Sequence, residues 1–357
     1  MKERKSIWLL SVTLLSALLA LSCVKTQETE PDDGWTPLTG DVPVSFSSAI
    51  STKATSPLPA NTTFGVFGYY TGTSNWGNNT IPNFMFDEDV HYDGSTYTYS
   101  PIKYWPNQTS DKLTFWAYSP YGSYDALVRK SGNNYPDYTN ENRGLPDIRF
   151  TTDGDTDFMT SDIRKNQSCR NGVNPDATVH FTFKHCLSKI AFYLKKYEDK
   201  APSDPEKYTV QVKSIRLEGI ELTGIRRTSL NPPAWVMSGN RGNITSYADG
   251  PLDNTDDIIL GLDYPAAGSP DAVSYVLPQD LDYAYARLHI EYTIDFDEIV
   301  TPRTMISNIP LKTVFDNVSA LWVEATEYNV YIRITPDDPI EFSVAWSDWG
   351  TYHNIEL

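Results

Sequence analysis

The sequence predicts an all-β protein: two β-sandwiches in series behind an export signal and an acidic tether. Three observations carry this. Aromatic residues make up 13% of the 357 residues, with 23 Tyr, 14 Phe and 9 Trp, and such side chains favour pleated, half-buried surfaces. The 24 Pro and 20 Gly cut the chain into short segments. Within those segments apolar residues alternate with period two, and no long run shows the 3.6-residue period of an amphipathic helix.

Residues 1–22 hold a basic start (Lys2, Arg4, Lys5), an apolar run from Ile7 to Leu21 and then Ser22-Cys23. This order describes a secretory signal. The apolar run is shorter than the roughly 20 residues that span a bilayer. Small Ser22 before Cys23 resembles a lipobox, so cleavage is expected between Ser22 and Cys23, with Cys23 acylated and held in outer-membrane lipid. Residues 23–41 carry Glu28, Glu30, Asp32, Asp33 and Asp41 with almost no apolar content, as a lipidated, flexible tether would. The formal charge of -17 argues against nucleic acid and anionic membrane surfaces as partners, because both need basic patches.

About 315 residues follow, enough for about two domains. The expected division is 42–185 and 186–357. In the first, Val42, Val44 and Phe46 alternate with polar residues up to Ile50, a half-buried strand. Phe64-Gly-Val-Phe-Gly-Tyr-Tyr70 and Leu113-Thr-Phe-Trp-Ala-Tyr118 are apolar on both faces and belong at the centre of a sheet. Between them, Phe84-Met-Phe86 and Thr96-Tyr-Thr-Tyr99 flank Asp93-Gly94, a strong hairpin signal. Residues 130–176 are polar and rich in Asn, Asp and Gly, and are expected to form a long loop. Val179 to Leu194 alternates with a kink between His185 and Lys189. Beyond it, Tyr208 to Leu217 changes phase, which places a bulge near Lys213. Further strands are expected at Ser274–Leu277, Leu288–Ile294, Tyr328–Ile334 and Ile340–Trp346.

Cys169 and Cys186 are the only cysteines after Cys23. An exported chain permits a disulfide between them, and two buried thiols fit the sequence equally well. His180 and His185 stand five apart on an alternating strand, on opposite faces, and make a poor metal pair. Asp153, Asp155 and Asp157 open like a calcium loop, but Phe158 replaces its glycine and Arg164 its closing glutamate. The fingerprints of serine hydrolases, zinc proteases and nucleotide binding are missing. The sequence therefore points to no enzyme, no metal and no cofactor.

Several of these pieces together resemble the fimbrillin family, subunits of type V pili. They are the lipoprotein signal, the early strand ending in Thr52-Lys53-Ala54, Phe64-Gly-Val-Phe67, Tyr99-Ser-Pro101 and Lys103-Tyr-Trp-Pro106. Phe115 to Tyr121, Asp157-Phe-Met159, Phe183-Lys-His185, Leu187 to Ile190, Leu277-Pro-Gln279 and Trp346 to Gly350 continue the series in order. The resemblance implies transthyretin-like sandwiches, a place in surface fimbriae with other pilus subunits as partners, and assembly by strand exchange. In that scheme a protease cuts between Lys53 and Ala54, the strand bearing Val42, Val44, Phe46 and Ile50 leaves, and another subunit's strand fills the groove. With four or five core side chains removed at about 1.5 to 3 kcal/mol each, the loss is roughly 10 kcal/mol. Matured family members commonly carry arginine at the cut, whereas Lys53 is the only basic residue between Lys25 and Lys103. An arginine-specific protease would leave the chain whole, as an anchor or accessory subunit. A second reading is a monomeric surface adhesin that binds glycan or a host protein through loops such as 72–83 or 130–176.

The lipobox generates a direct expectation. Radiolabelled palmitate enters the wild-type protein and fails to enter a Cys23→Ala variant, as read by autoradiography of the purified chain.

Overall fold

The computed structural model describes residues 40–51, 58–122, 124–126, 143–197, 208–228, 230–248, 258–296, 301–336 and 339–349. The first half runs β1 (Ser45–Ile50), β2 (Thr62–Gly72), β3 (Met85–Tyr92), β4 (Tyr97–Thr98), β5 (Lys112–Ser119), β6 (Tyr124–Ala126), β7 (Ile148–Thr151), β8 (Met159–Ser161), β9 (Arg164–Gln167) and β10 (Thr178–His185). The second half runs β11 (Ser188–Lys196), β12 (Tyr208–Glu221), β13 (Thr223–Arg227), β14 (Ala234–Met237), β15 (Arg241–Ala248), β16 (Ile258–Ile259) and β17 (Ala272–Val276). It ends with β18 (Arg287–Phe296), β19 (Arg303–Pro310), the short helix α1 (Leu311–Val314), β20 (Thr326–Ile334) and β21 (Glu341–Asp348).

The largest sheet has the order β1-β10-β8-β5-β2-β3-β4, with β9 also on β5. The two strands expected at its centre, β2 and β5, lie there because both of their faces are buried. Phe64, Val66, Leu113 and Phe115 pack on one side, against Phe181, Phe183 and Trp105. Phe67, Tyr69, Trp116 and Tyr118 pack on the other, against Ile148 and Phe150 of the sheet β14-β13-β7-β6. A third core fills the space between the sheets β17-β11-β20-β21 and β15-β12-β18-β19, with Phe192, Val210, Ile290, Trp322 and Val330 inside it.

The chain leaves the largest sheet at His185 and enters the next at Ser188, where the kink was expected. The sheet β14-β13-β7-β6 draws β6 and β7 from before this point and β13 and β14 from after it. The hairpin at Asp93-Gly94 joins β3 to β4, with Gly94 at φ +106° and the Asp93 carboxylate accepting the Ser95 and Thr96 amides. The bulge falls between Val212 and Ser214.

One expectation is corrected. Residues 130–176 are not one long loop, since β7, β8 and β9 lie within them. Each is three or four residues long, too short to show periodicity, and is held by longer neighbours. Phe158, between β7 and β8, is fully buried and stacks on Phe150 with centroids 4.9 Å apart.

Gly65 shows why the Phe64-Gly-Val-Phe67 run needs a glycine. A Cβ there would lie 2.2 Å from the Tyr118 ring, whose hydroxyl donates to Asp87 at 2.6 Å. Gly65→Ala must displace that ring from a close-packed site, so it is expected to cost about 1–3 kcal/mol. Urea denaturation of the purified protein measures this, and an unchanged midpoint contradicts the packing account.

Candidate strand-exchange groove

β1 lies at the edge of the largest sheet and pairs along its length with β10 alone. That pairing is parallel, with Ser45 opposite Thr178 and Ile50 opposite Phe183, while the other pairs of this sheet are antiparallel. Val44 and Phe46 point inward and are buried. Phe46 sits in an aromatic cage: it stacks on Phe181 at 5.8 Å and meets Tyr99 at 5.3 Å, Phe115 at 6.1 Å and Phe64 at 6.3 Å edge-on.

The start of the strand is clasped on its other side by residues 103–105. Val44 N–H donates to the Lys103 carbonyl at 2.9 Å, and Trp105 N–H to the Val42 carbonyl at 2.8 Å. Trp105 also donates through Nε1 to the Ala177 carbonyl at 3.0 Å, just ahead of β10. The Tyr99 hydroxyl donates to the Val44 carbonyl at 2.9 Å. Thus Tyr99 and the Lys103-Tyr-Trp-Pro106 run hold the first strand in place. The buried guanidinium of Arg170 adds to the clasp, donating to the Gly40 and Pro106 carbonyls and to Asn107 Oδ1.

Further along, Ser48 occupies an inward position without an apolar side chain. Its N–H donates to the Tyr97 hydroxyl at 3.2 Å, and its Oγ lies 2.8 Å from the same oxygen. Tyr97 belongs to β4, at the opposite end of the sheet order, so the sheet curls until its two ends meet around the core. Of the four side chains expected to fill the groove, Val44 and Phe46 are fully enclosed, whereas Val42 and Ile50 are only partly covered. Two enclosed side chains stabilise by about 3–6 kcal/mol, with smaller contributions from the other two, less than the roughly 10 kcal/mol expected from the sequence. The partial cover of Val42 and Ile50 accounts for the difference, and Ser48 adds no apolar side chain between Phe46 and Ile50.

The outer face is polar. His180 Nδ1 lies 2.5 Å from Ser47 Oγ and its Nε2 lies 2.9 Å from Asp176 Oδ2. His185 is on the opposite side of the strand, hydrogen-bonded to Asp157 at 2.8 Å and stacked on Trp349 at 3.8 Å. Asp153 accepts the amides of Asp155 and Thr156 in a turn, so the three aspartates divide between a turn and a histidine. Among the described residues no group of three or more His, Cys, Asp and Glu is arranged to hold a metal ion.

Cys169 and Cys186 carry free thiols and are both buried, which removes the disulfide the sequence left open. The two lie in different cores. Cys169 packs with Val44 and Phe46, and Cys186 packs across the sheet with Phe67 and Phe158. Burial pushes the Cys186 thiol up to about 12 and raises that of Cys169. Ser22, Cys23, Lys53 and Ala54 lie outside the described residues.

The sequence profile of fimbrillin-like proteins matches residues 52–349. The chain belongs to the fimbrillin-like family. A curated relative, the fimbrium subunit Fim1C of Phocaeicola vulgatus, is 29% identical over 204 residues, which are 53% of this chain and 50% of that protein. The chain thus spans about half the length of this relative. The fold is shared with a fimbrial protein from Bacteroides vulgatus ATCC 8482 (18% identity, TM-score 0.58, 87% of this chain and 100% of that one). It is also shared with a candidate cell adhesion protein from Bacteroides uniformis ATCC 8492 (15% identity, TM-score 0.51, 87% and 98%).

The thiol assignment can be counted. In a Cys23→Ser chain, Ellman's reagent is expected to titrate no thiol in the native protein and two after unfolding in urea, because burial keeps both protonated and out of reach.

Proposed function

We propose that this fimbrillin-like protein is a structural subunit of a cell-surface fimbrium, exported as a lipoprotein on Cys23 and assembled by exchange of β1. The observation that carries this reading is the attachment of β1: one parallel ladder, an inserted Phe46 and a clasp at the strand's start. β1 is the first strand among the described residues, and it reaches the sheet by pairing with residues more than 130 positions away. A single cut after it therefore frees it without breaking any other connection. Lys53 stands three residues beyond Ile50 in the sequence, where such a cut would fall.

Departure of the strand leaves β10 with unpaired backbone groups and uncovers Phe64, Phe115, Phe181 and Phe183. A trench of this kind is completed by an extended segment of another chain through β-augmentation. The cost of leaving it empty, several kcal/mol against a domain stability of about 5–15 kcal/mol, drives the groove to be refilled. The second edge of β1 favours exchange over mere addition, because residues 103–105 already bond to Val42 and Val44 and the Tyr97 hydroxyl already meets Ser48 on that side.

The experiment is N-terminal sequencing with intact mass on protein recovered from the cell surface. A start at Ala54 in polymeric material, lost together with the fibres in a Lys53→Gln strain, is the expected result. A start at Cys23 in fibre-bound protein overturns strand removal while leaving family membership intact.

A further inference from the structure

The outward face of the sheet β17-β11-β20-β21 departs from the usual solvated surface. Tyr193 of β11 and Tyr331 of β20 stand opposite each other in the register and stack with centroids 5.0 Å apart. Tyr264, from the loop leading to β17, closes on Tyr331 edge-on at 5.1 Å. That loop is pinned over the sheet. Lys196 N–H donates to the Gly261 carbonyl at 2.9 Å, and Asp271 N–H to the Phe192 carbonyl at 2.8 Å. The result is a cleft of about 340 Å³ lined by Lys195, Tyr264, Tyr331, Arg333, Glu341 and Ser343.

The charges in the cleft are uneven. Arg333 is neutralised by Glu341 and lies over the Tyr197 ring at 4.7 Å. The Lys195 ammonium lies over the Tyr264 ring at 4.4 Å and has no carboxylate partner among the described residues. In a chain of net charge -17, an ammonium set over an aromatic ring with no carboxylate partner among the described residues concentrates positive potential in a small concavity. Sugars bind where flat aromatic walls receive their C–H faces and a few fixed polar groups receive their hydroxyls. Here Ser343 and the tyrosine hydroxyls can donate or accept, and the Glu341 carboxylate accepts. Burial raises the phenols of Tyr264 and Tyr331, so both hydroxyls remain protonated donors through the physiological range.

We propose that this cleft binds glycans that carry a carboxylate, with Tyr264 and Tyr331 as the walls against the sugar ring and Lys195 as the group that receives the acid. The site lies on β11, β20, β21 and the loop before β17, not in the loops 72–83 or 130–176, and it needs no strand exchange. Were the subunit to repeat along a fibre, many weak sites would act together and the retention on a glycan surface would exceed that of one copy.

Titration calorimetry on the intact, uncleaved chain tests this, using oligogalacturonides and N-acetylneuraminyl-lactose beside neutral oligogalactose and lactose. Acidic sugars are expected to bind at least tenfold more tightly than neutral ones in about 0.05 M salt. Lys195→Gln should abolish that preference, Tyr264→Ala should remove measurable binding, and Tyr264→Phe, which keeps the wall, should bind within a few fold of wild type. Failure of every sugar to bind, equal binding of acidic and neutral sugars, or binding unchanged by Lys195→Gln overturns the proposal. Because the uncleaved monomer is used, none of these results bears on assembly.

Discussion

The parallel pairing of β1 with β10 is the constraint on which the rest of the first half depends. An edge strand has one ladder, so most of what holds β1 comes from the side chains it inserts. Phe46 supplies that anchor: four aromatic rings from four different segments converge on it. The cage gives the core its centre and places Phe46 of the edge strand against Phe64, Tyr99, Phe115 and Phe181. The clasp through residues 103–105 and Arg170 fixes the start of this strand.

The second half uses the same parallel device with the opposite consequence. β11, like β1, is the first strand of its half, and it pairs in parallel with the late strand β20. But β11 also pairs with β17, so it is flanked on both sides and carries Ile190, Phe192 and Leu194 into the third core. Extracting it would break two ladders and open the sandwich through its middle. One arrangement leaves a strand held by a single ladder at a sheet edge, and the other builds the strand into the middle of its sheet.

Several short runs that gave the family resemblance acquire physical reasons. Gly65 makes space for the Tyr118 ring, and Lys103-Tyr-Trp-Pro106 is the clasp on the first strand. Phe158 of Asp157-Phe-Met159 fills the second core, and Asp157 holds His185. Trp349 lies between the rings of His185 and Tyr275 at 3.8 and 5.3 Å, joining the two halves where the chain passes from one sheet to the next. Gln279 of Leu277-Pro-Gln279 exchanges two hydrogen bonds with the backbone of Glu221. Each of these residues makes a contact with a segment far away in sequence, which is why the runs look arbitrary when read locally.

By itself the sequence determined the all-β class, the central position of β2 and β5, the hairpin at Asp93-Gly94, the bulge near Lys213 and the inward phase of Val44 and Phe46. All of these follow from period-two alternation or from turn chemistry confined to a few residues. It missed β7, β8 and β9 and, in the second half, β13, β14 and β16, because strands of two to five residues carry too little pattern and are stabilised by their partners, and it missed the eight-residue β15 and β19 because they are largely exposed and bury no alternating apolar face. Only the tertiary structure decided that Cys169 and Cys186 belong to separate cores, that Ser48 meets Tyr97 across a curled sheet, and that Tyr193, Tyr331 and Tyr264 form one row beside Lys195. These depend on which distant strands become neighbours, and strand order is set by the packing of whole faces and not by any residue's local preference.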